Sequence, residues 1–220
     1  MSGMFLYGYV PYVALLACIV GGVRRMQSSR TRAPQARPRA WEPGVLALVV
    51  GAGIVAVNHV LGLVLRGLMR DFLASPTRLF LFEAVSLIGG MLLAWGVLQV
   101  SLRRVRQGQA SWGLRALYTL LLLQGVGGLA MAVGMRWGAL WSLDITVPYL
   151  RSLLVLHPEV SLLEQAPLMV RLHVLLGFVV IAIAPFVQAR RAAERVAVLA
   201  TAEEPLLASR RQEIAPRAEP

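Results

Sequence analysis

Four ionisable side chains lie inside long apolar stretches of the chain: His59, Glu83, Arg171 and His173. Charge within lipid is costly, so each is a functional candidate. His59 precedes the end of one apolar run, Val45–Leu65, by six residues, and His173 follows the start of another, Leu168–Val187, by five. If the two runs are antiparallel helices, a rise of ~1.5 Å per residue puts both imidazoles about 7–9 Å below the same surface. Two imidazoles at equal depth on different helices suit bis-His ligation of a haem iron held between facing helices. The plainer alternative is two unrelated, hydrogen-bonded histidines. Zinc or copper would want further His, Cys or carboxylate ligands nearby. A proton relay of two His and one Glu is thin.

Glycines flank both imidazoles. Gly51 and Gly62 stand eight residues before and three after His59, and Gly177 stands four after His173. Small residues one or two turns from a ligand leave room for a flat macrocycle. They also serve helix–helix packing in membranes, which reads these three glycines equally well.

The elements that must position these groups are plain from composition. Of 220 residues, 57% are hydrophobic and only 15% are charged. A soluble domain of this size carries roughly 25% charged residues, so a cytosolic enzyme and a disordered chain are both excluded. Five apolar runs stand out: Phe5–Val23, Val45–Leu65, Leu79–Leu102, Leu117–Met135 and Leu168–Val187. Each is long enough to cross a ~30 Å hydrocarbon core as a helix. The expected fold is all-α, a bundle of five transmembrane helices. The first run has no basic stretch before it and no small-residue cleavage site after it, so it reads as a retained helix.

All 22 basic residues are Arg and the net charge is +11. The arginines cluster between apolar runs rather than on one face, so nucleic-acid binding is not indicated. Arg24, Arg25, Arg30, Arg32, Arg37 and Arg39 follow the first run, and Arg103, Arg104, Arg106 and Arg115 follow the third. Arg190, Arg191, Arg195, Arg210, Arg211 and Arg217 follow the fifth. The opposite side has Arg66, Arg70, Arg78, Arg136 and Arg151. This asymmetry predicts an outside N-terminus and a cytoplasmic C-terminus; the expected location is a bacterial or archaeal cell (inner) membrane. The single Cys18 excludes an intrachain disulfide.

Residues 1–195 form the expected membrane domain, and 196–220 a cytoplasmic tail, disordered or docked on a partner. Ser28–Arg39 reads as a flexible loop against anionic headgroups. Tyr149–Leu156 reads as a short interfacial helix on the outer surface, with Trp137 and Trp141 in the aromatic belt. His157, before Pro158, belongs to that outer loop and is not expected to be a ligand.

The fifth helix reads Arg171-Leu172-His173-Val174-Leu175-Leu176-Gly177, then Pro185-Phe186. It closely resembles the fifth helix of the cytochrome b (gamma) subunit family of respiratory nitrate reductase. Asn58-His59-Val60-Leu61-Gly62 resembles that family's second-helix motif, and Pro11-Tyr12, Gln124 and Gly128 also match family positions. The resemblance covers most of residues 8–190. It implies five helices with two b-type haems, one near each face, and quinol oxidation near the outer haem. It further implies iron–sulfur and molybdenum catalytic subunits in the cytoplasm. The outer haem's ligands correspond to His59 and His173. The inner haem's ligand positions hold Val49 and the stretch Ala189, Arg190 and Arg191, and no spare His exists. One haem b is therefore expected rather than two, and electrons then leave either to the cytoplasmic subunits or to an outward-side cytochrome c. A membrane anchor without redox activity is the rival reading; nitrate is implied by resemblance only.

Within this frame Glu83 is the candidate acceptor of quinol protons, or else a structural hydrogen bond or a partner for Arg78. Asn58 is a candidate ligand for a quinone oxygen, or a bond to another helix. Arg171 faces roughly 160° from His173 on an ideal helix; it reaches either a haem propionate or phosphate headgroups.

Overall fold

The computed structural model describes residues 3–29, 42–135 and 138–187, with no side-chain description for 28 and 29. The expected loop over 30–39, Trp137, the stretch 189–191 and the tail 196–220 lie outside the described residues. The described chain is all-helical. A π-helical segment, Met4–Tyr9, leads into α1 (Val10–Ser29), followed by α2 (Pro43–Val64), α3 (Arg66–Leu73), α4 (Pro76–Arg106) and α5 (Trp112–Gly134). Three short helices follow, α6 (Gly138–Asp144), α7 (Thr146–Leu154) and α8 (Val160–Glu164), and then α9 (Leu168–Val187). Five helical segments are long and apolar enough to cross a membrane: Met4–Gln27, α2, α4, α5 and α9.

Local chemistry sets the helix ends. Pro43 and Pro76 sit in the first turns of α2 and α4, where a missing N–H costs nothing and the fixed φ favours a start. α4 stops at Gly108, whose φ of +65° is available to glycine without strain. Gln109 N–H reaches back to the Arg104 carbonyl and Gly108 N–H to that of Val105, at 2.9 and 3.0 Å. This pair of bonds closes the helix, while Arg103, Arg104 and Arg106 in the last turn favour its negative end.

The spans pack as a succession of neighbours. α2 and α4 approach backbone to backbone: a Cβ on Gly51 would lie 2.7 Å from the Gly89 carbonyl oxygen, and one on Gly96 would collide with Leu48. α4 meets α5 through Gly90 against Leu129 and Ala94 against Gly125. α5 meets α9 through Leu114, Leu117 and Val187. α9 meets α1 where Gly21 sits against Pro185 and Phe186.

One end of the bundle is capped by α3, α6, α7 and α8. Its centre is Tyr149, fully buried, whose hydroxyl donates to the Tyr7 carbonyl at 2.7 Å. Burial, with the Tyr7 and Tyr12 phenols nearby, pushes the Tyr149 hydroxyl up in pKa and keeps it a donor. Tyr12 of α1 donates to the Leu153 carbonyl at 3.0 Å, tying the first span to α7. Arg66 and Arg70 both pair with Asp144, at 3.7 and 3.2 Å, binding α3 to α6. Pairs this exposed contribute little beyond register. The interfacial helix expected at Tyr149–Leu156 forms as α7, shifted to Thr146–Leu154. Beyond it, Leu156 takes φ +59°, and His157 N–H bonds the Ser152 carbonyl at 3.0 Å. His157 thus closes a helix end.

Candidate functional site

Both spans carrying the imidazoles end at the capped side, His59 five residues before Val64 and His173 five residues after Leu168. At about 1.5 Å per residue their depths agree. The two rings sit in different surroundings. His59 is exposed on α2, and its Nδ1 donates to the Val55 carbonyl of its own helix at 2.7 Å. A carbonyl only accepts, so this bond places the proton on Nδ1 and leaves the Nε2 lone pair for a metal. That is the usual arrangement of a ligating imidazole.

His173 lies in a niche against α5. A Cβ on Gly128 would come within 3.3 Å of its Cε1, and one on Gly127 within 3.7 Å of its Nδ1. The two adjacent glycines thus make the space the ring occupies. Gln124, one turn earlier on α5, brings its Nε2 to 3.2 Å from the His173 Nε2. Gly177 makes room for that amide, since a Cβ there would lie 3.2 Å from it. Three buried polar atoms here have no hydrogen-bond partner: His173 Nδ1, Gln124 Oε1 and Arg171 Nε. Buried polar groups are nearly always satisfied, so the orphaned His173 Nδ1 and Gln124 Oε1, on two side chains in contact, mark a place where a further group fits.

The residues fit a haem. His59 would hold it through its free Nε2, and His173 through an Nε2 that Gln124 would have to release; the group would bring its own remaining iron ligands and a one-electron couple. The glycine niche gives space, and Arg171, two residues before His173 and with its Nε buried and unpartnered, would supply a cation for an acidic edge. Among the described residues no cluster of three or more His, Cys, Asp or Glu is assembled. An ion lacking its own macrocycle would need such a cluster.

The glycines expected near the ligands divide. Gly51 is buried against the backbone of Gly89, Leu92 and Leu93, where it allows α2 and α4 to touch. Gly62 faces Leu143 and Val147 of the cap, each 3.6 Å from where its Cβ would stand. Only Gly177 lies beside the His173 niche. In all three the small side chain serves close packing, and periodicity alone did not reveal against what.

The polar residues expected to handle quinol are likewise placed by bonds to protein. Glu83 Oε1 accepts the Ala139 N–H at 3.2 Å, capping the start of α6. Arg78 is not its partner: its guanidinium lies over the Phe72 ring, 5.4 Å from the centroid, and reaches the Asp71 carbonyl at 3.4 Å. Arg78 stands in the first turn of α4 and is exposed, which carries it away from the site. Asn58 Nδ2 donates to Ser86 Oγ of α4 at 2.6 Å, and Ser86 donates to the Phe82 carbonyl at 2.7 Å. Ser86 and Gly127 were not singled out from sequence, whereas Gly128 and Gln124 were noted through the family resemblance. The signal for Ser86 was a polar side chain at i+3 from Glu83 in an apolar helix, which must find a partner.

Comparison with known proteins shows the family. The family model described as nitrate reductase gamma subunit matches residues 3–189. The nitrate reductase gamma chain of Bacillus subtilis is 25% identical over 201 residues, which cover 84% of this chain and 89% of that protein. The nitrate reductase-like protein NarX of Mycobacterium tuberculosis (strain H37Rv) is 26% identical over 200 residues, again 84% of this chain. The match spans only 31% of that longer relative. With a helical bundle of five candidate spans and a family match over nearly its whole length, the chain belongs to the nitrate reductase gamma subunit family.

Proposed function

We propose that the chain is the membrane cytochrome b subunit of a respiratory, nitrate reductase-like complex. It oxidises quinol near the outer face and passes the electrons to partner subunits. The capped end is the outer one, as the arginine asymmetry requires. The observation that carries this reading is the pair of imidazoles at equal depth, one with its Nε2 lone pair set free by the Val55 carbonyl, the other in a niche of orphaned polar atoms.

His59 and His173 would hold one haem b, with Arg171 beside a propionate. Bound there, the haem supplies a one-electron couple suited to a quinol that gives up electrons singly. The chain's own part is ligation, orientation and proton handling. Asn58 lies beside His59 and presents a polar amide to a quinol hydroxyl. Glu83 has one carboxylate oxygen engaged by Ala139 and a second left to take a proton at the outer surface.

A single haem is supported by two features. Val49 stands where a second ligand would be required, and apart from His59 and His173 the chain has only His157, which closes the end of a cap helix. The neighbouring α2–α4 seam is closed by Gly51 and Gly96. Partner subunits carrying iron–sulfur and molybdenum centres would take the electrons on the cytoplasmic side. The outer depth of both imidazoles favours, as a second reading, exchange with a periplasmic cytochrome c. A redox-inactive anchor is disfavoured by the niche itself, because an anchor has no use for three unsatisfied buried polar atoms.

The test is the visible spectrum of the purified chain before and after a hydroquinone is added. A b-type band that appears on addition supports the reading. A protein without such a band, even after dithionite, overturns it.

A further inference from the structure

We infer that Ser86 is a positioning residue that fixes the Asn58 amide so that its carbonyl oxygen, Oδ1, accepts a hydrogen bond from a hydroquinone hydroxyl. The inference rests on the quinol reading above.

The argument is one of hydrogen-bond accounting. Ser86 Oγ lies 2.7 Å from the Phe82 carbonyl oxygen, four residues back on its own helix. That oxygen has no hydrogen to give, so the single Ser86 hydroxyl proton goes to it, a common bond for Ser within a helix. The Ser86 oxygen is then an acceptor only towards other groups. Asn58 lies 2.6 Å from it, so the end of the amide facing Ser86 must be the NH2. The amide is thereby locked in one of its two orientations. Oδ1 is left as a directed acceptor on a half-buried side chain, one residue from His59. No other bond to it is found among the described residues.

An acceptor held in an apolar span needs a donor. Lipid chains offer none, whereas a hydroquinone offers two hydroxyl groups. The same lock weakens the amide as a partner for an oxidised quinone, since one of its two N–H groups is committed to Ser86. The site thus binds the reduced form in preference to the oxidised one, substrate over product. Glu83 stands three residues before Ser86 on α4, within the same outer stretch of the α2–α4 contact.

The experiment uses membranes holding the assembled complex, with tetramethylhydroquinone as reductant and haem reduction as readout. Ser86→Ala releases the amide. The expected result is a KM raised about tenfold, the worth of one net hydrogen bond. The expected kcat stays within about twofold and the haem spectrum is unaltered. Ser86→Thr keeps the hydroxyl and should restore the KM. A Ser86→Ala KM equal to that of the parent, or a Ser86→Thr variant no better than Ser86→Ala, overturns the inference.

A second pair guards against a Ser86→Ala chain that folds poorly. Asn58→Leu should raise the KM as much as Ser86→Ala does, and the double variant should raise it no further. Additive effects would show that the two residues act separately and would overturn the inference. The quinol reading itself is tested by the parent protein alone. If its haem is not reduced by tetramethylhydroquinone, that reading falls, and the inference with it. If the parent is reduced and only the variant results fail, the inference alone falls.

Discussion

The capped half of the bundle and the opposite half are built from different materials. At the capped side α2, α4, α5 and α9 carry His59, Asn58, Glu83, Ser86, Gln124, Arg171 and His173, and short helices lie over their ends. Towards the other side the same α2 and α4 meet through Gly44, Leu48, Gly51 and Gly96, with backbone against side chain or backbone. Ion pairing there ties the start of α2 to the end of α4, through Arg103 and Glu42. In lipid, close backbone approach gives packing attraction without a hydrophobic drive. The difference teaches how one membrane bundle separates holding from handling. A tight glycine-laced seam fixes the helices, so the polar half can keep buried donors and acceptors unpaired for another group.

This contrast can be broken at several points. The largest effect is expected at the ligands. His59→Ala or His173→Ala should each abolish haem binding, read as loss of the b-type band, while the helical circular dichroism persists. If either variant keeps full haem, the ligand pairing is wrong. Next comes the seam. Gly96→Val must push the backbone of Leu48 aside, so it should cost about 3 kcal/mol or more, as overpacking and lost helix contact combine. A sharp fall in thermal midpoint checks this, and an unchanged midpoint would show that the seam is not the anchor.

A smaller, graded effect is expected in the niche. Gly128→Ala forces a 3.3 Å contact on the His173 ring, whereas Gly127→Ala meets Nδ1 at an ordinary 3.7 Å. Haem content and band position should therefore shift in the first variant and hold in the second. Equal behaviour would remove the glycine pair from the ligand's environment. Glu83→Gln keeps an acceptor for Ala139 but cannot take a proton. Quinol oxidation should slow by about tenfold or more with haem content spared, and unchanged turnover would leave Glu83 a helix cap only. The smallest effect belongs to the cap: Leu156→Gly relieves a φ of +59° and should stabilise by roughly 0.5–1 kcal/mol, read as a small rise in midpoint.

Much of this architecture was legible in sequence because lipid is an unforgiving solvent. The start of the fifth run was legible to the residue at Leu168, and the bounds of the other four to within a few residues except at their polar ends. There α4 continues through Arg103, Arg104 and Arg106, and α5 begins at Trp112, five residues before the apolar run. Helical hydrogen bonding extends into interfacial residues that hydropathy does not count. The short helices were mostly missed. α3 has a helical pattern, with Met69 and Leu73 buried and Arg66 and Arg70 turned to Asp144, but eight residues are too few to stand out beside runs of twenty.

The imidazoles were legible for a simpler reason: a polar group inside a span requires an explanation. The glycines were not, because a residue without a side chain gives no sign of what it faces. Gly51 lies in the α2–α4 seam. Arg78 was placed beside Glu83 by proximity in sequence, whereas the first turn of α4 points it over Phe72. Ser86 was overlooked because a serine bonded to its own helix looks innocuous until a second residue is found leaning on it.

The account turns on one haem gripped between α2 and α9 at the capped end. Its most direct measurement is haem per polypeptide in the purified full chain, by pyridine haemochrome absorbance against amino-acid analysis. The predicted ratio is one. A ratio of zero would leave the orphaned niche without its occupant, and a ratio of two would place a second haem where neither Val49 nor the glycine seam can hold it.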